Sequence, residues 1–445
     1  MYNLPLFVTA TACGKMGNKT IQKLWNGFTL TMGTLEITPC EDFVFRVGET
    51  ALPALPADSE YALRVDENGI AIAARDYGGL VRGFMTLLMR IEYQNKRFFI
   101  RPVETQSQYT VQNRMIHISV FPENDLYFIK KLIRLSALCQ YTHIVIEFWG
   151  MLQYDCLKEL AWPHAFTKAQ AKELIAECRE LGITPIPMFN MFGHATASRV
   201  RYGKHVVLDQ NPTLQHLFTP DGWAWDVTSE EVYKLLRQVR QELYALFGDT
   251  EYFHIGCDEA YYYMHCDELR KQVPDFLRRL TLDVVKEGRR PMLWMDMILE
   301  KDAYPSGYYA FAKTGEGQVL LDALAKESVM VDWQYNVNQA PVASSVYLKD
   351  KGHDLIVAPW LTSANYIACV DTVKEHNLYG VMLTTWHTLQ EYMSGILGCA
   401  KKCGAQTFAW SVDRNSEETA SLLRRVSFEG NTYEDCGWSK KQIVM

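Results

Sequence analysis

The sequence predicts an α/β fold in which a (β/α)8 TIM barrel follows a small α+β domain. From residue 111 onward, short apolar strands alternate with amphipathic helices, in eight consecutive units. Eight such units in roughly 300 residues have the size and rhythm of this barrel. A doubly wound open sheet is the rival, but no glycine-rich nucleotide or phosphate loop follows any of the strands, which disfavours it.

Residues 1–110 are predicted to form the α+β domain. Residues 79–93 have the pattern of an amphipathic helix, and Asn68-Gly69 is a hairpin signal between two strands. The strands are predicted at residues 28–32, 43–47, 61–65, 70–74 and 98–102.

Residues 111–403 are predicted to form the barrel, and residues 404–445 a polar tail whose role the sequence does not indicate. The apolar residues Ile129, Leu132 and Ile133 recur at helical spacing after the first strand, as they should on a helix that covers the barrel. The eight strands are predicted at residues 115–120, 143–148, 184–189, 252–256, 292–295, 329–335, 355–359 and 379–384.

Charge and cysteine content narrow the possible partners and location. The net charge is −7 and no dense run of Lys or Arg occurs, so we expect neither a nucleic acid nor a membrane as partner. No stretch of about 20 apolar residues is present, so no membrane span is expected. The 11 cysteines follow no regular framework and the first residues lack a basic start. Both features favour reduced thiols in the cytoplasm.

The last four predicted strands each end near a tryptophan. A TIM barrel builds its active site at the carboxyl ends of its strands, so these indoles should meet at one mouth. One such tryptophan would usually belong to the core, whereas four converging ones are better explained by a pocket that packs against a sugar ring. They are Trp294, Trp333, Trp360 and Trp386.

Asp258 and Glu259 are the strongest local signal for chemistry. They follow an apolar strand and Gly256, so they should be partly enclosed. Two close carboxylates do not both ionise cheaply, so the pKa of one should rise. A carboxylic acid beside a carboxylate is what the cleavage of a glycosidic bond requires.

The run from His254 to Glu259 resembles the His-x-Gly-x-Asp-Glu motif of glycoside hydrolase family 20, the β-N-acetylhexosaminidases. The longer run HIGCDEAYYY is similar to the hexosaminidase D-like branch. Phe192-Gly193-His194 resembles the Pro-Gly-His turn after strand three of that family, and Trp386 its strand-eight tryptophan. Residues 61–88 are similar to the small domain that precedes the family barrel, so the resemblance spans about residues 60–400.

The resemblance implies exo-cleavage of terminal β-linked GlcNAc or GalNAc from an oligosaccharide or glycoconjugate. The 2-acetamido oxygen of the substrate would attack the anomeric carbon, with retention of configuration. Glu259 would be the general acid and base, and Asp258 would hold the acetamido N–H. His194 would lie behind Glu259, and Glu147 behind His194, as a polar relay. No metal or organic cofactor is implied.

The resemblance also implies the residues that would bind the sugar. Arg114 would bind hydroxyls at strand one, and the aromatic residues would line the pocket. These are Trp294, Trp333, Tyr335, Trp360 and Trp386.

Several alternatives remain open from the sequence. His194 could be an ordinary buried histidine, and Arg114 could form a salt bridge between the domains. Many family members have Asp where Glu147 stands. The tyrosine that bonds the acetamido oxygen could be Tyr335 or Tyr366.

The identity of the sugar and the presence of catalysis are open as well. Many members have Trp-x-Glu at strand eight, whereas this chain has Trp386-His387-Thr388, with Glu391 out of register. The terminal sugar could therefore be GlcNAc, GalNAc or a modified amino sugar. A barrel that binds sugar without cutting is the rival class, and the presence of both carboxylates argues against it.

A metal-dependent hydrolase is the remaining alternative. His254, His265, Asp258 and Asp296 could be imagined as ligands. His254 lies four residues before Asp258 on the same strand, so one ion would not easily reach both.

Overall fold

The computed structural model describes residues 1–195, 207–386, 389, 393–406 and 415–427. The first domain contains a six-stranded sheet in the order β3-β2-β4-β6-β5-β9 and a three-stranded sheet in the order β1-β8-β7. Its elements are β1 (Tyr2–Leu4), β2 (Phe7–Cys13), α1 (Lys19–Phe28), β3 (Thr34–Cys40), β4 (Val44–Gly48), β5 (Tyr61–Asp66), β6 (Gly69–Ala74), α2 (Tyr77–Leu88), β7 (Glu92–Gln94), β8 (Arg97–Ile100) and β9 (Val103–Gln106).

Helix α1 corrects the sequence prediction of a strand at residues 28–32. Asn18 caps the helix by accepting a hydrogen bond from the backbone N–H of Ile21 at 2.9 Å. Its buried side chains Ile21, Leu24, Trp25 and Phe28 follow helical spacing and cover the sheet. The aromatic residue at the helix end was mistaken for the start of a strand. The helix predicted at residues 79–93 is confirmed as α2, although it ends at Leu88.

The predicted barrel is confirmed. In the described part of the chain, eight parallel strands pair in sequence order, and β17 closes on β10 with Gly380 opposite Asn113. The strands are β10 (Asn113–Ser119), β11 (His143–Glu147), β12 (Thr184–Met188), β13 (Tyr252–His254), β14 (Arg290–Trp294), β15 (Val329–Asp332), β16 (Asp354–Val357) and β17 (Gly380–Thr384).

Helices connect the strands of the barrel. They are α3 (Leu126–Leu138), α4 (Lys168–Glu180), α5 (Val207–Gln210), α6 (Glu230–Phe247), α7 (Tyr261–His265), α8 (Asp267–Arg270), α9 (Val273–Lys286), α10 (Gly317–Ala323), α11 (Ala343–Lys349), α12 (Ser363–His376) and α13 (Met393–Lys402). None of the helices in the described residues has the length and apolar character needed to cross a membrane.

The barrel interior is filled with side chains, so it is a core and not a channel. Strands all around the barrel contribute side chains to this buried cluster. Its members include Met115, Val145, Met292, Val331 and Met382. Because the centre is filled, a ligand has room only at the ends of the strands.

The tail contains one described helix, α14 (Asn415–Arg425), which packs on α1, α3 and α13. A β-carbon at Gly27 of α1 would collide with the backbone carbonyl of Arg425, so the two helix backbones are in direct contact. The guanidinium of Arg425 lies 4.9 Å from the ring centre of Phe28. Lys401 and Glu418 form an ion pair between α13 and α14. The tail thus joins the first domain to the barrel.

Candidate active site

Asp258 and Glu259 follow β13 at the carboxyl end of the barrel, in a tightly turned segment. The backbone is left-handed at Gly256 (φ 68°), Cys257 (φ 80°) and Glu259 (φ 50°). At Gly256 a β-carbon would collide with the side chain of Asn190, so this position requires glycine. Left-handed non-glycine residues are strained and persist where the surroundings hold them, which makes this turn a built feature.

His194 contacts both carboxylates. Its Nε2 lies 2.9 Å from Oε2 of Glu259 and 3.5 Å from Oδ2 of Asp258. The contact depends on Gly193, because the carbonyl oxygen of Asp258 occupies the place of a β-carbon there. The turn after β12 therefore lies directly against the turn after β13.

Two tryptophans enclose the imidazole of His194. The ring centre of Trp149 lies 6.0 Å away with its plane near perpendicular, and that of Trp223 lies 4.8 Å away. The indole N–H of Trp223 also donates to the backbone carbonyl of Glu259 at 2.6 Å. Sequence reasoning missed Trp223 because it lies in the long connection between β12 and α6 and not at a strand end.

Glu147 lies at the centre of a fully buried polar network. Its carboxylate accepts hydrogen bonds from Ser119 and Asn190, both at 3.0 Å, and lies 3.2 Å from Nε2 of His117. These bonds join the ends of β10, β11 and β12 beneath the mouth. The relay from Glu147 through His194 stays a prediction. His117 was missed, and its ring lies 4.7 Å from that of Trp386.

Asp296 is a site residue that the sequence suggested only as a metal ligand. It follows β14 and is 1% exposed. Its Oδ2 accepts the backbone N–H of Glu259 at 2.9 Å, and its Oδ1 accepts the indole N–H of Trp333 at 3.0 Å. Burial, and then the charge of Asp258, raise the pKa of Asp296 well above its usual range.

Aromatic rings form one wall of the mouth. The ring of Trp333 lies 4.2 Å from that of Tyr309 and 4.9 Å from that of Tyr335, and Tyr335 lies 5.1 Å from Trp360. The hydroxyl oxygen of Tyr335 accepts a hydrogen bond from Nε1 of Trp386 at 2.7 Å and lies 3.2 Å from the hydroxyl oxygen of Thr384, which donates its proton to the carbonyl of Pro359 at 2.9 Å. Three of the four tryptophans expected at the mouth thus meet around Tyr335.

Trp294 is the tryptophan that the structure places differently. Its side chain is fully buried, with its ring centre 4.5 Å from that of His254 and 5.7 Å from that of Trp386. It fills the barrel beneath Trp386, so it supports the pocket wall and does not face a ligand. The expectation that Trp294 binds substrate is corrected accordingly.

Arg114 is also corrected from a sugar-binding residue to an interdomain ion pair. It lies at the amino end of β10, opposite the mouth, and is 1% exposed. Its guanidinium bonds Glu60 of the first domain at 3.1 Å and donates to the backbone carbonyls of Val111, Gln112 and Gln140. One side of the guanidinium therefore bonds the first domain and the rest bonds the barrel backbone, at the end opposite the mouth.

Tyr335 and Tyr366 lie in different parts of the barrel. The hydroxyl of Tyr366 lies where a β-carbon of Gly398 would be, between α12 and α13, so Tyr335 and not Tyr366 belongs to the aromatic wall. His387, Thr388 and Glu391 lie outside the described residues. Among those described, no group of three or more His, Cys, Asp or Glu side chains is arranged to hold a metal ion.

This arrangement can transfer a proton and stabilise positive charge at the same place. Glu259 retains 21% side-chain exposure and Asp258 only 4%, so the glutamate faces the opening and the aspartate faces inward. A carboxyl group that meets an entering group can act as acid or base. A fixed carboxylate behind it can stabilise a cation that develops in the pocket.

Comparisons with known proteins relate the chain to one enzyme family. Residues 147–416 match the family model of the glycosyl hydrolase family 20 catalytic domain. A β-hexosaminidase of Porphyromonas gingivalis is 22% identical over 350 residues, which are 70% of this chain and 43% of that protein. β-Hexosaminidase 1 of Coccidioides posadasii is 20% identical over 292 residues, 54% of this chain and 46% of that protein. The chain thus spans less than half the length of these two relatives.

Solved structures share the fold. The β-N-acetylhexosaminidase of Streptomyces coelicolor A3(2) superposes with a TM-score of 0.67 at 17% identity, covering 98% of this chain and 93% of that one. The chitobiase of Flavobacterium johnsoniae gives a TM-score of 0.67 at 16% identity, covering 96% of this chain and 70% of that one. At these identities the likeness establishes the architecture of both domains.

Proposed function

The chain belongs to glycosyl hydrolase family 20, and from this premise we propose that it is an exo-acting β-N-acetylhexosaminidase. It removes a terminal β-linked GlcNAc or GalNAc from an oligosaccharide or glycoconjugate. The observation that carries the proposal is the single imidazole nitrogen of His194 between Glu259 and Asp258 at the barrel mouth.

The first step of the proposed reaction is attack by the substrate itself. The carbonyl oxygen of the 2-acetamido group bonds to the anomeric carbon while the glycosidic bond breaks. Glu259 gives its proton to the leaving oxygen, so the aglycone departs as an alcohol. Asp258, which faces inward, accepts the acetamido N–H and stabilises the positive charge of the oxazolinium ion. Holding the acetamido group in attacking position supplies much of the rate.

The second step reverses the roles. Glu259, now a carboxylate, takes a proton from water, and the water oxygen attacks the anomeric carbon from the face that the aglycone left. The ring of the intermediate opens and the acetamido group is restored. Two inversions give net retention without a covalent bond to the enzyme.

Tyr335 is the residue we assign to the acetamido oxygen. Its oxygen accepts the indole N–H of Trp386, and its own proton is given to the acetamido oxygen when the sugar binds. Burial raises the pKa of the Tyr335 phenol, and the charges of Asp258 and Glu259 act in the same direction. The hydroxyl therefore keeps its proton at neutral pH. The rings of Trp333, Trp360 and Trp386 supply apolar faces for the sugar.

Hydrolysis of a matched set of glycosides tests the proposal. The substrates are the 4-nitrophenyl β-glycosides of GlcNAc, GalNAc and glucose, with Glu259→Gln as the blank. Turnover of the acetamido sugars but not of the glucoside, with strong inhibition by a thiazoline that mimics the oxazoline, supports substrate assistance. Turnover of none of them, with ligand binding intact, would favour a barrel that binds sugar without cutting.

We also propose that the protein works in the cytoplasm. The ten cysteines in the described residues are free thiols, which suits a reducing compartment. Fractionation of native cells followed by immunodetection tests this location. Recovery of the protein mainly from secreted material would overturn it.

A further inference from the structure

Three hydrogen bonds hold the left-handed backbone at Glu259 in place. A non-glycine residue in this region is disfavoured by about 1–2 kcal/mol, and Glu259 adopts φ 50°. Its carbonyl accepts bonds from Trp223 and from the N–H of Tyr261. Its N–H donates to Oδ2 of Asp296. The carboxylate of Asp296 is thus the acceptor that fixes the amide on one side of the proposed acid.

The same carboxylate also orients the pocket wall. Its second oxygen accepts the indole N–H of Trp333, whose ring packs on Tyr309 and Tyr335. The turn that carries Glu259 and the aromatic wall that begins at Trp333 are therefore both hydrogen-bonded to the side chain of Asp296, which follows β14. Since that side chain is 1% exposed, water does not replace either bond when the side chain is changed.

We infer that Asp296 is a positioning residue for Glu259, and that it couples the placement of the acid to the placement of Trp333. The inference rests on the proposed glycosidase function. Asp296 does not touch substrate in this scheme. It acts by holding the backbone conformation from which the Glu259 carboxyl reaches the leaving oxygen.

Asp296→Asn tests this inference because it keeps the size of the side chain. The asparagine amide has only one acceptor oxygen. Either the N–H of Glu259 or the indole N–H of Trp333 would therefore face the amide NH2 group and lose its acceptor. We expect kcat/KM to fall at least about ten-fold more on a glycoside with a poor leaving group than on the 2,4-dinitrophenyl glycoside, which needs little protonation. A merely structural defect lowers the active fraction and scales both values equally, so the ratio would not move.

Two further variants sharpen the test. Trp333→Phe alone leaves the bond to Glu259 N–H intact, so the leaving-group ratio should stay at the wild-type value while KM rises. In the Trp333→Phe background, Asp296→Asn should shift the ratio less than it does alone, because the amide oxygen can then serve Glu259 without an indole donor to oppose the NH2 group. Such non-additivity is the mark of coupling through one shared residue.

Asp332→Asn is the matched control. Asp332 is also a fully buried carboxylate at a strand end, and its bonds run to Ser344, Ser345 and Gln334. This variant should lower the melting temperature without changing the leaving-group ratio. An unchanged ratio in Asp296→Asn, in an enzyme whose wild type is active, would overturn the inference alone. A wild type without activity on any acetamido sugar would instead overturn the proposed function.

Discussion

Nε2 of His194 lies 2.9 Å from Oε2 of Glu259. When the glutamate is ionised its oxygen can only accept, so the imidazole is the donor in this pair. The rings of Trp149 and Trp223 on His194 restrict its tilt. The geometry therefore orients the carboxyl group toward the mouth before a substrate arrives.

Glu259→Gln should separate proton donation from binding. The amide cannot protonate a leaving oxygen, so we expect kcat/KM for an unactivated disaccharide to fall by about 10²–10⁴. The 2,4-dinitrophenyl glycoside should lose much less, because its leaving group needs little help. Steady-state kinetics on both substrates measure the difference. Equal losses on both would contradict a role for Glu259 as the acid.

Asp258→Asn should lower the rate on N-acetyl substrates by orders of magnitude while binding survives. Asparagine keeps the shape but cannot stabilise the positive charge of the oxazolinium ion. The appropriate comparison is kcat against KM for 4-nitrophenyl β-GlcNAc. A raised KM with unchanged kcat would show that Asp258 only binds the ground state.

Tyr335→Phe and Tyr366→Phe form a matched pair. Removing the Tyr335 hydroxyl should reduce kcat/KM for acetamido substrates by about ten-fold, the cost of one lost hydrogen bond. Removing that of Tyr366, between α12 and α13, should leave kcat/KM near the wild-type value. The reverse ranking in the same assay would reassign the acetamido contact.

Arg114→Met should affect stability and not catalysis. It removes one of the two arginines bonded to Glu60, the other being Arg82, and leaves three backbone carbonyls without their donor. Each unsatisfied buried carbonyl costs about 1–3 kcal/mol, so we expect the free energy of unfolding to fall by about 3 kcal/mol or more, while KM stays unchanged. Urea denaturation and steady-state kinetics test the two halves. A several-fold rise in KM, measured where the variant is fully folded, would show that Arg114 binds substrate.

His254 should make the fold sensitive to acid. Burial lowers its pKa to about 3, and the neighbouring His117 acts in the same direction. Its Nδ1 accepts the N–H of Gly256 at 3.1 Å, which requires an unprotonated nitrogen. As the pH falls from about 6.5 toward 3, the unfolded chain binds a proton that the native state refuses. Stability from this group is therefore present above about pH 6.5 and is lost below it.

Urea denaturation at several pH values measures this loss. The free energy of unfolding should fall by about 1.4 kcal/mol per pH unit through that window from His254. His254→Asn keeps an acceptor and removes the titration, so its slope should be shallower by that amount. His216→Asn provides the control for a histidine-to-asparagine change at a side chain that is 56% exposed. Identical slopes in wild type and His254→Asn would contradict the prediction.

The barrel was predictable because its strands are short apolar runs separated by amphipathic helices. That pattern depends on local sequence alone, and all eight strands fall where it indicates. The placement of Asp258 and Glu259 at the barrel mouth was predictable for the same reason, since they come shortly after a strand. Helix α1 was not, because a capped helix that ends in an aromatic residue resembles a strand start in a short window.

The rest of the site depends on contacts between distant segments. Trp223 meets His194 although the two residues lie far apart in the sequence. Asp296 is recognisable only when the amide of Glu259 and the indole of Trp333 are seen to converge on it. Arg114 was misassigned because its role was taken from the family resemblance, whereas it begins β10 and so lies at the end of the barrel opposite the mouth.

Helix α14 lies directly on α1, with Gly27 against the carbonyl of Arg425. During synthesis, α1 leaves the ribosome long before α14, which leaves last among the described elements. At synthesis rates of about 5–20 residues per second, the outer face of α1 around Phe28 stays uncovered for some tens of seconds. The first domain can therefore complete its surface only after the whole barrel has been made.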